Sequence, residues 1–357
     1  MKRETLRNIK YFILSIPEFN WYLEFRLTNK RYPVKHGIME TLWAYRKGFY
    51  LESIALCGIT KQNIHEYLSD KAYLKLHPIN HEYSRIIDNK LYLPFLLKDF
   101  PELVPTYYFL INNGRLVKID PLLQDGYDLL QLCKEKGRLA LKPCSGSMGE
   151  GFNLLEWNNE GFFLNRKKVE INELISFIGS LDKFLVTEYI VQHKYSAEIN
   201  PCCFNTIRLI CIRDKVNNEF TIPVSFHRFG VSGRFVDNIG AEGGAISAYI
   251  NIQTGEIKKM GSIKKNGEEK KVIIAINHPD SNKQISGVII PNWKEMINKV
   301  LVVMNHLSFL KYAGLDIVIT ENGFKILEIN SLPTLLGLQI EEGVLKNDRL
   351  KNFFQGK

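Results

Sequence analysis

The sequence has no CxxC pair, no apolar run long enough to cross a bilayer, no internal repeat and no low-complexity linker. Its six cysteines (Cys57, Cys133, Cys144, Cys202, Cys203, Cys211) follow no regular spacing. That excludes a disulfide frame or a cysteine zinc site and predicts reduced, buried thiols in a reducing cytoplasm. The early apolar stretch Tyr11 to Ile16 falls far short of a secretory core or of the roughly 20 residues a membrane span needs. Neither export nor a spanning segment is expected. There is no Walker A loop, no Rossmann fingerprint and no convincing Ser/His/Asp or Cys/His set, so a dedicated nucleophile is not expected.

What is present describes a folded protein. At 357 residues the chain exceeds the roughly 250 to 300 that one core usually serves, which predicts two or three subdomains. A 45% hydrophobic fraction with 21 Phe and 16 Tyr argues against disorder. The net charge is +9, and the part up to Glu52 holds ten Lys or Arg against five acids. A solvated helix face is the plain reading of that excess; docking to an anionic membrane or partner through the basic N-terminal region is the other. The basic residues are dispersed and no reader motif accompanies them, which excludes nucleic acid as a partner.

Hydrophobic spacing places helices over about 1 to 75, where Tyr11, Phe12 and Leu14 and then Trp21, Tyr22 and Phe25 recur at helical intervals. A helical stretch is predicted at Lys90 to Lys98 and strands at Thr106 to Ile111, Arg138 to Pro143 and Phe152 to Trp157. Residues 171 to 180 read as a helix and Phe184 to Ile190 as a buried strand. Strands then dominate: Thr206 to Arg213, Thr221 to Phe229, Ala245 to Ile252 and Ile257 to Gly261. A helix over Trp293 to Leu310 precedes a hairpin, Leu315 to Thr320 and Phe324 to Ile329, turned by Glu321-Asn322-Gly323. These elements divide as a helical extension 1–78, an α/β lobe 79–190 and a second lobe 191–357.

Two constellations carry chemistry. On the final hairpin Asp316 lies among apolar neighbours, and its partner strand offers Glu328 and Asn330 on one face of the pleat. Hard divalent cations take oxygen ligands, and Mg²⁺ commonly takes one or two carboxylates together with nucleotide phosphates. The alternative is a pair of solvated hairpin carboxylates, which the flanking apolar runs oppose. The second constellation is Lys142 at a strand end, followed by Ser145-Gly146-Ser147-Met148-Gly149-Glu150-Gly151. Its glycines allow backbone N–H groups to approach phosphate oxygens, although alone it would pass for an ordinary turn.

Lys142 with its glycine loop, Thr187-Glu188-Tyr189-Ile190, Asp316 and Glu328-Ile329-Asn330 occur in the order seen in ATP-grasp proteins. More narrowly, Asn205-Thr-Ile-Arg208, His227-Arg228-Phe-Gly, Val236-Asp-Asn238, Gly243-Gly244, His278-Pro279, Gly287-Val-Ile-Ile-Pro291 and Gly314-Leu-Asp316 resemble the sugar-transfer-associated ATP-grasp family of bacterial polysaccharide loci. The resemblance, over roughly 80 to 345, implies an α+β ATP-grasp fold in which two α/β subdomains clamp ATP, with the helical extension added in front. It implies that Lys142 and the loop, including Ser145, Gly146, Ser147, Met148 and Gly149, meet the phosphates. Glu188, Tyr189 and Ile190 would form the adenine hinge, with His193 at the ribose. Asp316, Glu328 and Asn330 would hold Mg²⁺, or Mn²⁺ in its place. Arg208 and Arg228 would be clamps for the γ-phosphate and a carboxylate, a surface strand charge being the plain alternative for each. Asn238, Gly243 and Gly244 would line the substrate side, and His278 would be structural.

The implied reaction joins a small-molecule carboxylate to an amine, either of them sugar-linked, through an acyl phosphate. Two departures bear on it. Many such ligases carry an arginine two residues before the first metal-binding aspartate, where this chain has Gly314, so the clamp falls to Arg208 or Arg228. Asn330-Ser-Leu-Pro333 is followed by Thr334 where glycine is commoner, which puts the acceptor pocket in question. The rivals are a kinase-type phosphotransferase using the same nucleotide site, and a non-catalytic ATP-binding component of an envelope polysaccharide assembly complex.

Overall fold

The computed structural model describes residues 17–31, 34, 36–124, 126–146, 151–201, 203–231, 245–266 and 269–356. The chain forms two compact units: Met1–His77 with Gly261–Ile274 and Thr334–Lys357, and Pro78–Met260 with Ala275–Pro333.

The first unit contains helices α1 (Pro17–Arg31), α2 (Ile38–Lys47), α3 (Leu51–Cys57) and α4 (Asp70–Lys75). Helix α2 is closed by Gly48 in the left-handed region, with φ of 80°, whose N–H returns to the carbonyls of Ala44 and Tyr45. Trp21, Phe25, Ala44 and Leu51 form one small core, and Phe49, Cys57, Ile59 and Tyr67 another. The C-terminal segment joins this unit through Gln339, which is fully buried. Its amide accepts from the Leu68 N–H and donates to the Leu68 carbonyl, both at 3.0 Å. Satisfying a buried amide twice on one backbone residue fixes the register of that contact.

The second unit is built on antiparallel sheets. The first has the order β2-β1-β7-β3-β4-β5-β6, from β1 (Tyr107–Asn112), β2 (Arg115–Lys118), β3 (Arg138–Pro143), β4 (Asn153–Asn158), β5 (Gly161–Leu164), β6 (Lys167–Val169) and β7 (Phe184–Glu188). The turn between β1 and β2 is Asn113-Gly114, with both residues at positive φ, as a two-residue hairpin requires. A Cβ on Gly114 would also meet the Gly179 carbonyl oxygen at 2.4 Å. The second sheet runs β10-β9-β8-β13-β14 through β8 (Ile207–Arg213), β9 (Phe220–Gly230), β10 (Ala245–Ile250), β13 (Tyr312–Thr320) and β14 (Gly323–Asn330). Strands β11 (Ile257–Asn266) and β12 (Glu269–Ala275) come between β10 and β13 in the sequence. Fully buried Leu209, Cys211, Phe229, Val300, Leu315 and Ile317 belong to the main core. Each such side chain contributes roughly 1.5–3 kcal/mol through the area it removes from water.

Most elements of the described residues fall where periodicity put them; the helical reading at Tyr11, Phe12 and Leu14 lies outside those residues. Strand β3 and the helix Ile171–Ser180 do so residue for residue, and the helix Trp293–His306 ends four residues short of expectation. The stretch Lys90 to Lys98 is the exception. It is a 3₁₀ turn, Lys90–Tyr92, followed by a four-residue helix, Leu93–Leu96. Pro94 causes the break, because it lacks an N–H and its ring would clash with the carbonyl of Lys90 in a continuous helix. The five described cysteines are buried and free, and Cys202 lies outside the described residues. Among the described residues no helix is long and apolar enough to cross a membrane.

Candidate active site

Strand register gathers the charged residues of the second sheet. Asp316 on β13 stands opposite Glu328 on β14 and opposite Arg208 on β8, while Gly314 stands opposite Asn330. A bulge makes this possible. Ile317 pairs with Ile326 but Asp316 pairs with Glu328, so Leu327 is the extra residue. Strict alternation would turn Glu328 to the face of Ile326; the bulge brings it to the face of Asp316 instead.

Asp316 is 3% exposed. Arg208 donates to both its oxygens, Nε to Oδ1 and Nη2 to Oδ2, the latter at 2.7 Å. Arg228 approaches Oδ2 with Nη2 at 3.0 Å and also donates from Nε to the Thr206 hydroxyl at 3.0 Å. Burial alone would raise the Asp316 pKa, but the two guanidinium groups hold it well below the usual carboxylate range. Glu328 moves the other way, pushed up first by burial and then by the charge of Asp316. The Asn330 amide N–H donates to Glu328 Oε1 at 3.2 Å, which leaves the amide oxygen with acceptor capacity.

Lys90 is the residue that sequence reading missed. Its Nζ lies 2.9 Å from Glu328 Oε2 and donates to the Gly146 carbonyl at 3.0 Å, joining the carboxylate hairpin to the glycine loop. Its own N–H donates to the Cys144 carbonyl at 2.8 Å. No motif marked it, because it sits on the broken helix far upstream of Lys142. Lys142 is pushed down to about 8, by burial first and then by Lys90. Its Nζ sits 5.3 Å from the centre of the Tyr107 ring. The Tyr107 hydroxyl is buried and has no hydrogen-bond partner, an orphaned polar group beside Lys142 and within the field of Glu328.

The other expected residues have these places. Ser145 and Gly146 are exposed at the end of β3. Glu188 ends β7 and is tied to Thr106, whose carbonyl accepts its N–H at 2.8 Å and whose N–H donates to its carboxylate at 3.1 Å. Tyr189 packs on Phe204 with ring centres 5.0 Å apart, and Ile190 is buried. His193 caps the helix Lys194–Ile199, its Nδ1 accepting from the Tyr195 N–H, and pairs with Glu321 at 3.5 Å. His278 is buried and structural: its Nδ1 accepts from the Asp280 N–H at 3.2 Å, so Nε2 carries the proton it donates to the Gly230 carbonyl at 2.8 Å. Ser147, Met148, Gly149, Asn238, Gly243 and Gly244 lie outside the described residues.

The donor set of Asp316, Glu328 and Asn330 is all oxygen and suits a hard divalent cation. Among the described residues no cluster of three or more His, Cys, Asp or Glu could hold a metal, so the amide oxygen would have to complete the set. Four cations, Lys90, Lys142, Arg208 and Arg228, face only two carboxylates. The cluster is therefore net positive, and a polyanion that brings its own cation matches it better than a cation alone.

The chain belongs to the sugar-transfer associated ATP-grasp family, which matches residues 71–355, and its fold is the ATP-grasp fold. No curated protein matches it by sequence. Solved structures that it resembles include the ADP complex of PurK, an N5-carboxyaminoimidazole ribonucleotide synthetase, at 12% identity and a TM-score of 0.40, covering 72% of this chain. They also include the ATP-grasp ligase PsnB with a minimal precursor, at 12%, 0.39 and 78%, and the D-alanine–D-alanine ligase of Bacillus anthracis, at 12%, 0.38 and 76%. The chain spans 52%, 62% and 67% of the lengths of those three proteins.

Proposed function

We propose that the protein is an ATP- and Mg²⁺-dependent carboxylate–amine ligase that acts through an acyl phosphate on a sugar-linked precursor, joining it to an amino acid or similar small molecule. The observation that carries this reading is the cluster of two carboxylates and an amide oxygen faced by four cations, drawn from both sheets and the 3₁₀ turn at Lys90. Family membership supports the nucleotide; the sugar is the finer part of the proposal.

In this reading Asp316, Glu328 and Asn330 would hold the metal, whose positive charge would offset the charge that develops on the phosphate. Lys142 and Lys90 bind the phosphates, and the glycine loop at Gly146 covers them. Arg208 or Arg228 exchanges part of its hold on Asp316 for the transferring phosphoryl group or the attacking carboxylate, which it aligns and whose charge it offsets. The carboxylate oxygen forms a bond to the γ-phosphorus as the bond to ADP breaks. An amine then attacks the acyl carbon, inorganic phosphate leaves, and the amine loses a proton. No protein nucleophile is needed, in keeping with the residues present.

A screen for ADP release across amino acids, uronic acids and amino sugars, with mass spectrometry of the products, tests the proposal. The expected result is ADP, phosphate and an amide from one carboxylate–amine pair. A phosphorylated product without phosphate release would replace the ligase with a phosphotransferase, and failure to bind ATP with Mg²⁺ in calorimetry would remove the nucleotide altogether.

A further inference from the structure

The net positive charge of the protein belongs to one of its units. Met1–His77, Gly261–Ile274 and Thr334–Lys357 together carry 21 Lys or Arg against 12 Asp or Glu, whereas Pro78–Met260 with Ala275–Pro333 carries 26 of each. The whole excess of nine thus belongs to the unit that supplies none of the site residues described above, and the site-bearing unit is neutral overall. Phosphate binding at the candidate site does not account for it.

The same unit exposes large apolar side chains. Helices α1 and α2 meet through Trp21, Phe25, Ala44 and Tyr45, which fill their inner faces. With a step of about 100° per residue, Ile38, Met39, Leu42 and Arg46 fall on the side of α2 opposite the buried Ala44. Ile38 is 87% exposed and Met39 77%, and on α1 Leu27 is 63% exposed, with Arg26 beside it and Lys30 one turn on. One exposed leucine would be ordinary. Three on one side of α2, Ile38, Met39 and Leu42, with Arg46 and Lys47 in its last turn, give the composition of a helical surface that lies in a bilayer interface. The acid on α2, Glu40, is tied to His36 at 3.1 Å and to the Gly37 N–H at 3.2 Å.

We propose that the outer face of α2 docks peripherally on an anionic lipid bilayer. A soluble polyanion would engage the cations but give Ile38, Met39 and Leu42 no apolar environment. The boundary between headgroups and acyl chains takes both, with long basic side chains reaching the phosphates.

Cosedimentation of the full chain with vesicles tests this. Wild type is expected to pellet with phosphatidylcholine vesicles containing phosphatidylglycerol, to stay in solution with phosphatidylcholine alone, and to be released by high salt. The double substitutions Ile38→Ser with Met39→Ser, and Arg46→Glu with Lys47→Glu, change exposed residues and leave folding intact by circular dichroism; each should weaken binding about tenfold or more. Wild type remaining in solution with anionic vesicles would overturn the proposal. So would an Ile38/Met39 variant that binds as wild type does, since the attraction would then be that of a soluble polyanion, and so would equal binding to the neutral vesicles.

Discussion

At Gly314 the space beside the backbone is already filled. A Cβ built there would meet Pro333 Cγ at 2.5 Å and Arg208 Cδ at 3.2 Å. The arginine of many related ligases cannot stand at this position, and Arg208 reaches the same neighbourhood from the adjacent strand. Replacing Gly314 with alanine should therefore displace Pro333 or Arg208 and cost about 1–3 kcal/mol, read as a lower midpoint in urea unfolding. Loss of less than that would mean the proline yields freely. Tyr107 gives the opposite case. Its buried hydroxyl lacks a partner, so Tyr107→Phe should leave stability unchanged or raise it by less than about 1 kcal/mol. Calorimetry should nevertheless show nucleotide affinity falling severalfold, because the ring that carries the hydroxyl lies under Lys142 in the proposed phosphate site. An unchanged affinity would assign the orphaned group to packing alone.

A carboxyl at the start of α4 caps α3 and titrates with the folding of their unit. The Asp70 carboxylate accepts from the Tyr50 N–H at 2.8 Å and the Ser53 hydroxyl at 3.1 Å, capping the first turn of α3, and it is 6% exposed. Burial raises it from 3.8 to about 7. The folded state therefore holds this proton more tightly than the unfolded chain does. Its contribution to stability is complete below about pH 4 and is lost as pH climbs through about 7, a change on the order of a few kcal/mol. Denaturant unfolding should show that decline in wild type and a flatter profile in Asp70→Asn; parallel profiles would refute the assignment. Element by element, the sequence was legible wherever burial imposes a period. Strand β3 announces itself as a short apolar run, Leu139 to Leu141, and the helix Ile171–Ser180 because one face of it is apolar. The bulge at Leu327 was not legible, since one extra residue in a ladder leaves no compositional trace, yet it sets Glu328 against Asp316. Lys90 was hidden for a related reason: its importance lies in contacts to Gly146 and Glu328, residues distant in sequence, and no local pattern encodes them. Arg208 and Arg228 lie on the paired strands β8 and β9, and that both turn onto Asp316 depends on register.

Taken whole, the net charge of the molecule divides unevenly between its two units, with the excess of nine in the first and none in the second. The candidate site draws every described residue from the second unit, whose cores include the largest in the chain. A ligand of that site must therefore stabilise the second unit by mass action, by about 2.7 kcal/mol at a hundred times its dissociation constant. Scanning calorimetry should show a thermal transition moving upward with ADP and Mg²⁺ together and moving less with ADP alone. In Glu328→Gln the Lys90 ion pair and one oxygen donor of the metal set are altered while volume is kept, so the Mg²⁺-dependent part of the shift should vanish and ADP formation should fall by about a hundredfold or more. A full Mg²⁺-dependent shift in that variant would move the metal away from Asp316, Glu328 and Asn330. The reading of Lys142 and Lys90 as phosphate ligands would survive that result, because the shift with ADP alone reports on them separately.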